Sequence, residues 1–191
     1  MKKTTFRHFL ILVFSLLANP SQAQEAAQKS WELLLGYGES HPGWGDTQER
    51  VETRDLILRQ VRPQSFTRGE GWYRNRRSVL IELPVHFLKE PQEPPMFGIT
   101  FNACWTFLAH PRYQPYVLVG GGPLYTQAEI PGTSSKLKGS YQAGAGLKID
   151  LSSSAMLRLE YRFHHVSNGG IKKPNDPLNS DKLLLGLQLP F

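Results

Sequence analysis

The sequence predicts an all-β protein, an eight-stranded antiparallel transmembrane β-barrel. Apolar and polar residues alternate with a period of two in segment after segment, which is typical of two-faced strands. Several of these segments are about ten residues long, and a tilted strand needs about 9 to 11 residues to cross a membrane. The chain also ends in an apolar alternation that finishes on Phe191, a typical ending of outer-membrane barrels.

The N-terminal segment has the features of a secretory signal peptide. Basic residues precede an apolar run at 9–18, and small residues follow it up to Ala23. The alternative, a membrane anchor, is disfavoured because the run is too short to span a bilayer as a helix. We therefore predict a cleaved signal peptide at 1–23 and a single outer-membrane barrel domain at 24–191.

Composition excludes several classes of function. The chain has 22 Lys and Arg against 16 Asp and Glu, and three of the basic residues lie in the signal segment. The small excess of positive charge that remains does not indicate a nucleic-acid partner. The single cysteine, Cys104, cannot form an intrachain disulfide. No metal-ligand spacing, phosphate loop or dinucleotide fingerprint is present, and we expect neither a metal nor a cofactor.

The strands follow from the alternation. It is clearest at 97–107, where the apolar series from Phe97 to Phe107 faces a series of small and polar residues, and weakest at 51–61. The eight predicted strands cover residues 31–37, 51–61, 79–87, 97–107, 115–125, 140–150, 157–167 and 182–191. Glycines on the polar face suit a narrow lumen. A soluble lipocalin-like barrel with the apolar face inward is the alternative.

Loop lengths predict how the barrel is oriented. If the last strand ends in the periplasm, residues 126–136 and 168–181 form external loops, and 110–114 and 151–154 form short internal turns. The outer end of the strand at 157–167 then lies near the headgroups of the outer leaflet. In a Gram-negative cell this leaflet is lipopolysaccharide.

That strand carries the candidate chemistry. Its apolar residues have odd numbers and its charged residues even numbers, so His165 and Ser167 fall on the lipid-facing side, whereas His164 falls among the charges. An imidazole beside a hydroxyl can activate it for attack on an ester. The residues that follow, Asn168 to Gly170, offer an amide and backbone N–H groups to an oxyanion. The alternative is a hairpin loop whose Asn, Gly and Pro residues serve turn geometry.

The same residues resemble a known family. The segments HVSNGG at 165–170 and PND at 174–176 resemble the signature of the PagL-type lipid A 3-O-deacylases, and PYV at 115–117, GGGP at 120–123 and GAGL at 144–147 are similar to that family too. The resemblance implies an eight-stranded outer-membrane enzyme that hydrolyses the ester linking a hydroxyacyl chain to the 3-position of lipid A. It implies Ser167 as nucleophile, His165 as general base, and the Asn168 side chain and Gly170 backbone as the oxyanion site.

One position departs from that family. The best-known members have a Glu fourteen residues after the histidine, and this chain has Asn179. An amide oxygen can accept the histidine Nδ1–H, but it supplies no negative charge to the imidazolium. Asp176 and Asp181 are alternative partners for the histidine. Lys172 and Lys173 either contact lipid A phosphates or are simply exposed on an external loop.

The sequence therefore predicts a serine esterase embedded in the outer membrane, with lipid A of lipopolysaccharide as its partner and a homodimer as an assembly that the sequence allows. Two other functions remain open. One is a catalytically silent barrel that acts in adhesion or envelope stability. The other is a phospholipase.

Overall fold

The computed structural model describes residues 28–90, 92–130, 132–152 and 155–189, which form one antiparallel sheet that closes on itself. Consecutive strands pair around the ring, and the first strand pairs with the last, with Trp31 opposite Leu189. The predicted fold class, an eight-stranded antiparallel barrel, is confirmed. The predicted signal peptide at 1–23 lies outside the described residues.

The strands lie close to their predicted positions. They are β1 (Ser30–Ser40), β2 (Glu52–Arg68), β3 (Asn75–Glu90), β4 (Met96–Gly98), β5 (Thr100–Phe107), β6 (Tyr113–Thr126), β7 (Leu137–Asp150), β8 (Met156–Ser167) and β9 (Leu178–Leu189), and a short 3₁₀ helix lies at Gly71–Tyr73. Two differences stand out. The β2–β3 hairpin is longer than predicted, since β2 extends to Arg68 and β3 begins at Asn75, and β9 begins four residues earlier than predicted.

Strands β4 and β5 together form one side of the barrel, because both pair with β3 and with β6. The ladder is interrupted at Ile99, which lies opposite Pro123 of β6. Proline has no N–H to donate, so the pairing breaks at this point and resumes after it. The eight predicted strands thus correspond to nine strand segments among the described residues.

A network of ion pairs fills the middle of the lumen. The Arg59 guanidinium is fully buried and contacts the carboxylates of Glu82 at 2.7 Å and Glu160 at 2.8 Å. Arg162 also bonds Glu82, at 2.9 Å, and pairs with Glu160. Buried charges require such mutual compensation. The charged residues of β8 therefore face the lumen, on the side opposite the predicted lipid-facing residues.

The outward face of the wall is apolar. Large hydrophobic side chains alternate with the buried polar ones and stand exposed, among them Leu33, Leu35, Leu83, Phe101, Val117, Leu159, Leu183, Leu185 and Leu187. Such a belt is what a lipid-facing barrel wall presents. No helix among the described residues is long and apolar enough to cross a membrane.

An apolar plug closes the lumen at the end where β8 finishes and β9 begins. It consists of Val51, Leu88, Met96, Leu124, Ile130, Val166 and Leu178. Five of these residues lie near the ends of five different strand segments, and Val51 and Ile130 lie in loops, so their packing holds the loops at this end against the barrel. The candidate site lies on the outer side of this plug.

Candidate active site

The last three residues of β8 point alternately outward and inward. Val166 is fully buried in the apolar plug, so His165 and Ser167 lie on the opposite, outward side of the strand. His165 is half-buried, and Ser167 is 6% exposed. Among the described residues the Ser167 hydroxyl has no hydrogen-bond partner. The imidazole and the hydroxyl therefore share one face, as predicted, without a hydrogen bond between them in this conformation.

His165 is held from the neighbouring strand. It lies opposite Asn179 of β9, and its Nδ1 is 2.7 Å from the Asn179 side-chain oxygen. The Asn179 Nδ2 donates to the Trp44 backbone carbonyl oxygen at 2.8 Å. A carbonyl oxygen only accepts hydrogen bonds, so the amide must turn its NH₂ toward Trp44 and its oxygen toward His165. His165 then carries its proton on Nδ1, and Nε2 is left as a proton acceptor.

The loop between β1 and β2 supports this arrangement through Thr47. The Thr47 side chain is buried, at 3% exposure, and its hydroxyl donates to the Pro177 carbonyl oxygen at 3.0 Å. The Thr47 hydroxyl oxygen also accepts the Asn179 backbone N–H at 3.0 Å. Thr47 thus fixes the backbone of the residue that orients His165.

The two alternative partners of His165 are occupied elsewhere. Asp181 accepts the Tyr161 hydroxyl and lies 3.1 Å from His41 Nε2. The Asp176 backbone N–H donates to the Gly132 carbonyl, and the Asp176 side chain lies beside that glycine. Of the three candidates considered, it is therefore Asn179 that contacts the imidazole.

A family model described as Lipid A 3-O-deacylase (PagL) matches residues 63–188, which include β8, the loop after it and all but the last residue of β9. The chain belongs to this family. Membership of the PagL family confirms the family resemblance seen in the sequence and the predicted location in the outer membrane, and it supports an enzyme of the lipid A deacylase type.

Two solved structures are similar to this PagL-family chain. The crystal structure of the outer membrane enzyme PagL has a TM-score of 0.59 at 16% identity, covering 84% of this chain and 99% of that one. The crystal structure of Neisserial surface protein A (NspA) also has a TM-score of 0.59, at 13% identity, covering 85% of this chain and 97% of that one. At these identities the likeness concerns the fold. No curated protein sequence matches the chain.

Asn168 ties together two loops of this PagL-family protein. Its Nδ2 lies within hydrogen-bond distance of the backbone carbonyl oxygens of Lys172 at 2.6 Å, Ser134 at 2.9 Å and Pro174 at 3.2 Å. Its Oδ1 accepts the Gly170 N–H at 2.9 Å. Both predicted oxyanion donors therefore have partners within the protein in this conformation.

Gly139 leaves an open notch beside the candidate nucleophile, a feature that the sequence analysis missed. Gly139 of β7 pairs with Ser167, and a Cβ built on it would come no closer than 3.9 Å to the Ser167 carbonyl oxygen. Tyr141, two residues further along the same outward face, lies opposite His165 with the ring centroids 6.0 Å apart. The residues around Ser167 in the sequence do not indicate which residue of the neighbouring strand lies opposite it, so Gly139 could not be found from the motif.

The remaining predicted residues lie around this centre. Lys172 and Lys173 are exposed on the loop between β8 and β9. No group of three His, Cys, Asp or Glu side chains in the described part of the chain could hold a metal ion. The chemistry that this arrangement offers is that of a serine hydroxyl, an imidazole and an orienting amide.

Proposed function

We propose that this PagL-family protein is a serine esterase that hydrolyses the ester linking a hydroxyacyl chain to the 3-position of lipid A. The observation that carries the proposal is the fixed contact between His165 Nδ1 and Asn179, on the same outward face as Ser167. It leaves the imidazole Nε2 free to act as a base at the membrane-exposed end of β8.

In the proposed reaction the Ser167 oxygen attacks the ester carbonyl while its proton passes to His165 Nε2. The tetrahedral intermediate collapses when the bond to the sugar oxygen breaks and His165 returns the proton to that oxygen. A water molecule then attacks the carbonyl carbon of the acyl-serine while His165 takes a proton from the water. His165 passes this proton to the Ser167 oxygen as the bond to the acyl group breaks. The products are 3-deacylated lipid A and a hydroxy fatty acid.

Formation of the Ser167–His165 hydrogen bond requires a side-chain rotation. Residues i and i+2 of one strand are about 7 Å apart at their Cα atoms, so rotamers that lean toward each other bring hydroxyl and imidazole into reach. The loose apo geometry does not argue against the pair, because catalytic hydrogen bonds often tighten only when substrate is bound.

For the oxyanion we propose the Asn168 amide and the Gly170 N–H. The two hydrogens of Asn168 Nδ2 face three backbone carbonyl oxygens and the Ser134 hydroxyl, which lies at 3.4 Å. The Pro174 carbonyl oxygen also accepts the Ser134 N–H, and the Ser134 carbonyl oxygen also accepts from Lys138 Nζ. Turning one Asn168 N–H toward a developing negative charge therefore leaves both carbonyls with another donor. Both groups directly follow the proposed nucleophile, where an oxyanion would form.

The surroundings suit a glycolipid. An acyl chain can lie along the apolar outer wall and reach Ser167 through the notch at Gly139, while Tyr141 flanks the imidazole. We further propose that exposed Lys172 and Lys173 contact the phosphate groups of lipid A, since both stand on the loop that follows the proposed nucleophile.

The test is the mass of lipid A after incubation with the purified protein. We expect the loss of one hydroxyacyl chain, abolished by Ser167→Ala and by His165→Ala. Ser140→Ala and His110→Ala are matched controls, because Ser140 faces the lumen and His110 lies in the turn at the opposite end. Unchanged lipid A would indicate a silent barrel, and fatty acid released from vesicles without lipopolysaccharide would indicate a phospholipase.

A further inference from the structure

A cavity lies in the lumen, at the end of the barrel opposite the candidate active site. Its volume is about 300 Å³, and residues from every side of the barrel line it. Lys29 and Arg76 are exposed and stand at its mouth. Buried residues form its floor, among them Ser78, Thr106 and Arg158.

The charges around this cavity are of one sign. Four cationic side chains line it, those of Lys29, Arg76, Lys148 and Arg158, and no Asp or Glu does. Lys148 is paired with a carboxylate outside the lining, Asp150, at 3.2 Å. In the described part of the chain Lys29 and Arg76 have no ion-pair partner. A cleft lined by one sign of charge concentrates ions of the opposite sign.

Arg158, on the floor of the cavity, has a guanidinium N–H group without an acceptor within the part of the chain that the structure describes. Arg158 is 4% exposed, and its Nε donates to Glu32 at 2.8 Å, on the side of the ion-pair network. Its Nη1 is buried and has no hydrogen-bond partner among the described residues. A buried N–H without an acceptor is costly, and a guanidinium is well suited to bind the oxygens of a phosphate group.

We propose that this basic cavity, defined by Lys29, Arg76, Lys148 and Arg158, binds a phosphate group. The Arg158 Nη1 would donate to one oxygen, the Ser78 and Thr106 hydroxyls are available to others, and Lys29 and Arg76 compensate the charge from the mouth. The phosphate comes either from the aqueous compartment as a free anion or from the headgroup of a phospholipid in the nearby leaflet. The site is independent of the esterase chemistry, from which the plug and the ion-pair network separate it.

Isothermal titration calorimetry on the purified full-length barrel tests the proposal. Inorganic phosphate is titrated into the protein in a neutral detergent at constant ionic strength, with chloride as the competing anion. A parallel titration uses vesicles of phosphatidylcholine with and without phosphatidylglycerol. The variant Lys29→Gln/Arg76→Gln changes two exposed mouth residues, and Arg74→Gln is the matched control, an exposed arginine of the same hairpin that does not line the cavity.

We expect saturable phosphate binding that the double variant weakens about tenfold or more and that the control leaves unchanged. Binding of phosphatidylglycerol vesicles alone, with the same loss in the double variant, supports the site and identifies the lipid headgroup as the source. Absence of binding to both probes overturns the proposal. Equal affinity of the wild type and the double variant overturns it too.

Discussion

The side-chain amide of Asn179 donates to the backbone carbonyl oxygen of Trp44 at 2.8 Å. This single bond joins the β1–β2 loop to the histidine of the proposed active site, because the same amide accepts from His165 with its oxygen. An amide is suited to this position since it donates on one side and accepts on the other. A carboxylate, which only accepts, would not be.

Asn179→Glu is therefore expected to lower the esterase activity, although the best-known members of the family have Glu at this position. A carboxylate oxygen facing the Trp44 carbonyl would place two acceptors together at a position that is only 7% exposed. We expect kcat on lipid A to fall about 10- to 100-fold, the loss typical of an unsatisfied buried polar group. A higher kcat in this variant would show that the contact with the Trp44 carbonyl does not require an amide at position 179.

Thr47→Val is expected to lower kcat about tenfold with little change in KM. Valine has nearly the same shape but neither accepts the Asn179 N–H nor donates to the Pro177 carbonyl, so Asn179 and with it His165 lose their fixed position. Thr47→Ser keeps the hydroxyl and should restore most of the activity. Equal kcat values for the valine and serine variants would exclude the positioning role.

Gly139→Leu is expected to close the notch beside Ser167. A Cβ at this position meets nothing closer than 3.9 Å, so we expect the variant to fold and to lose kcat/KM on lipid A about tenfold or more. Ala143→Leu is the control, since it places the same side chain on the same face of β7 farther from Ser167. Similar losses in both variants would contradict access through Gly139.

Glu160→Gln is expected to destabilise the barrel without a direct effect on the site. Glu160 accepts from Arg59 at 2.8 Å and from Tyr116 at 2.7 Å and also pairs with Arg162. Loss of its charge leaves two buried guanidinium groups to share the carboxylates that remain, chiefly Glu82. We expect a loss of about 3 to 5 kcal/mol in the free energy of unfolding, measured by urea titration in lipid vesicles. Glu129→Gln, on an exposed loop, should have no such effect.

The alternation of residues in the sequence was sufficient to predict the barrel strands and the side of the strand on which the candidate residues lie. Side chains of a strand alternate with a period of two, so the charged series from Arg158 to His164 already assigned His165 and Ser167 to the outer face. The apolar last strand and the recurring alternation predicted the barrel for the same reason. The interruption at Ile99 was not predicted, because it depends on which residue of β6 lies opposite.

What the sequence determined by itself is the set of strands, the side of each strand that meets lipid, and the motif that carries the proposed chemistry. The tertiary structure decided that Asn179 and not Asp176 or Asp181 contacts His165, that Trp44 and Thr47 support Asn179, and that Gly139 opens the space at Ser167. The physical reason is register. Trp44 and Asn179 are 135 residues apart, and only closure of the ring, with β1 paired to β9, brings them together.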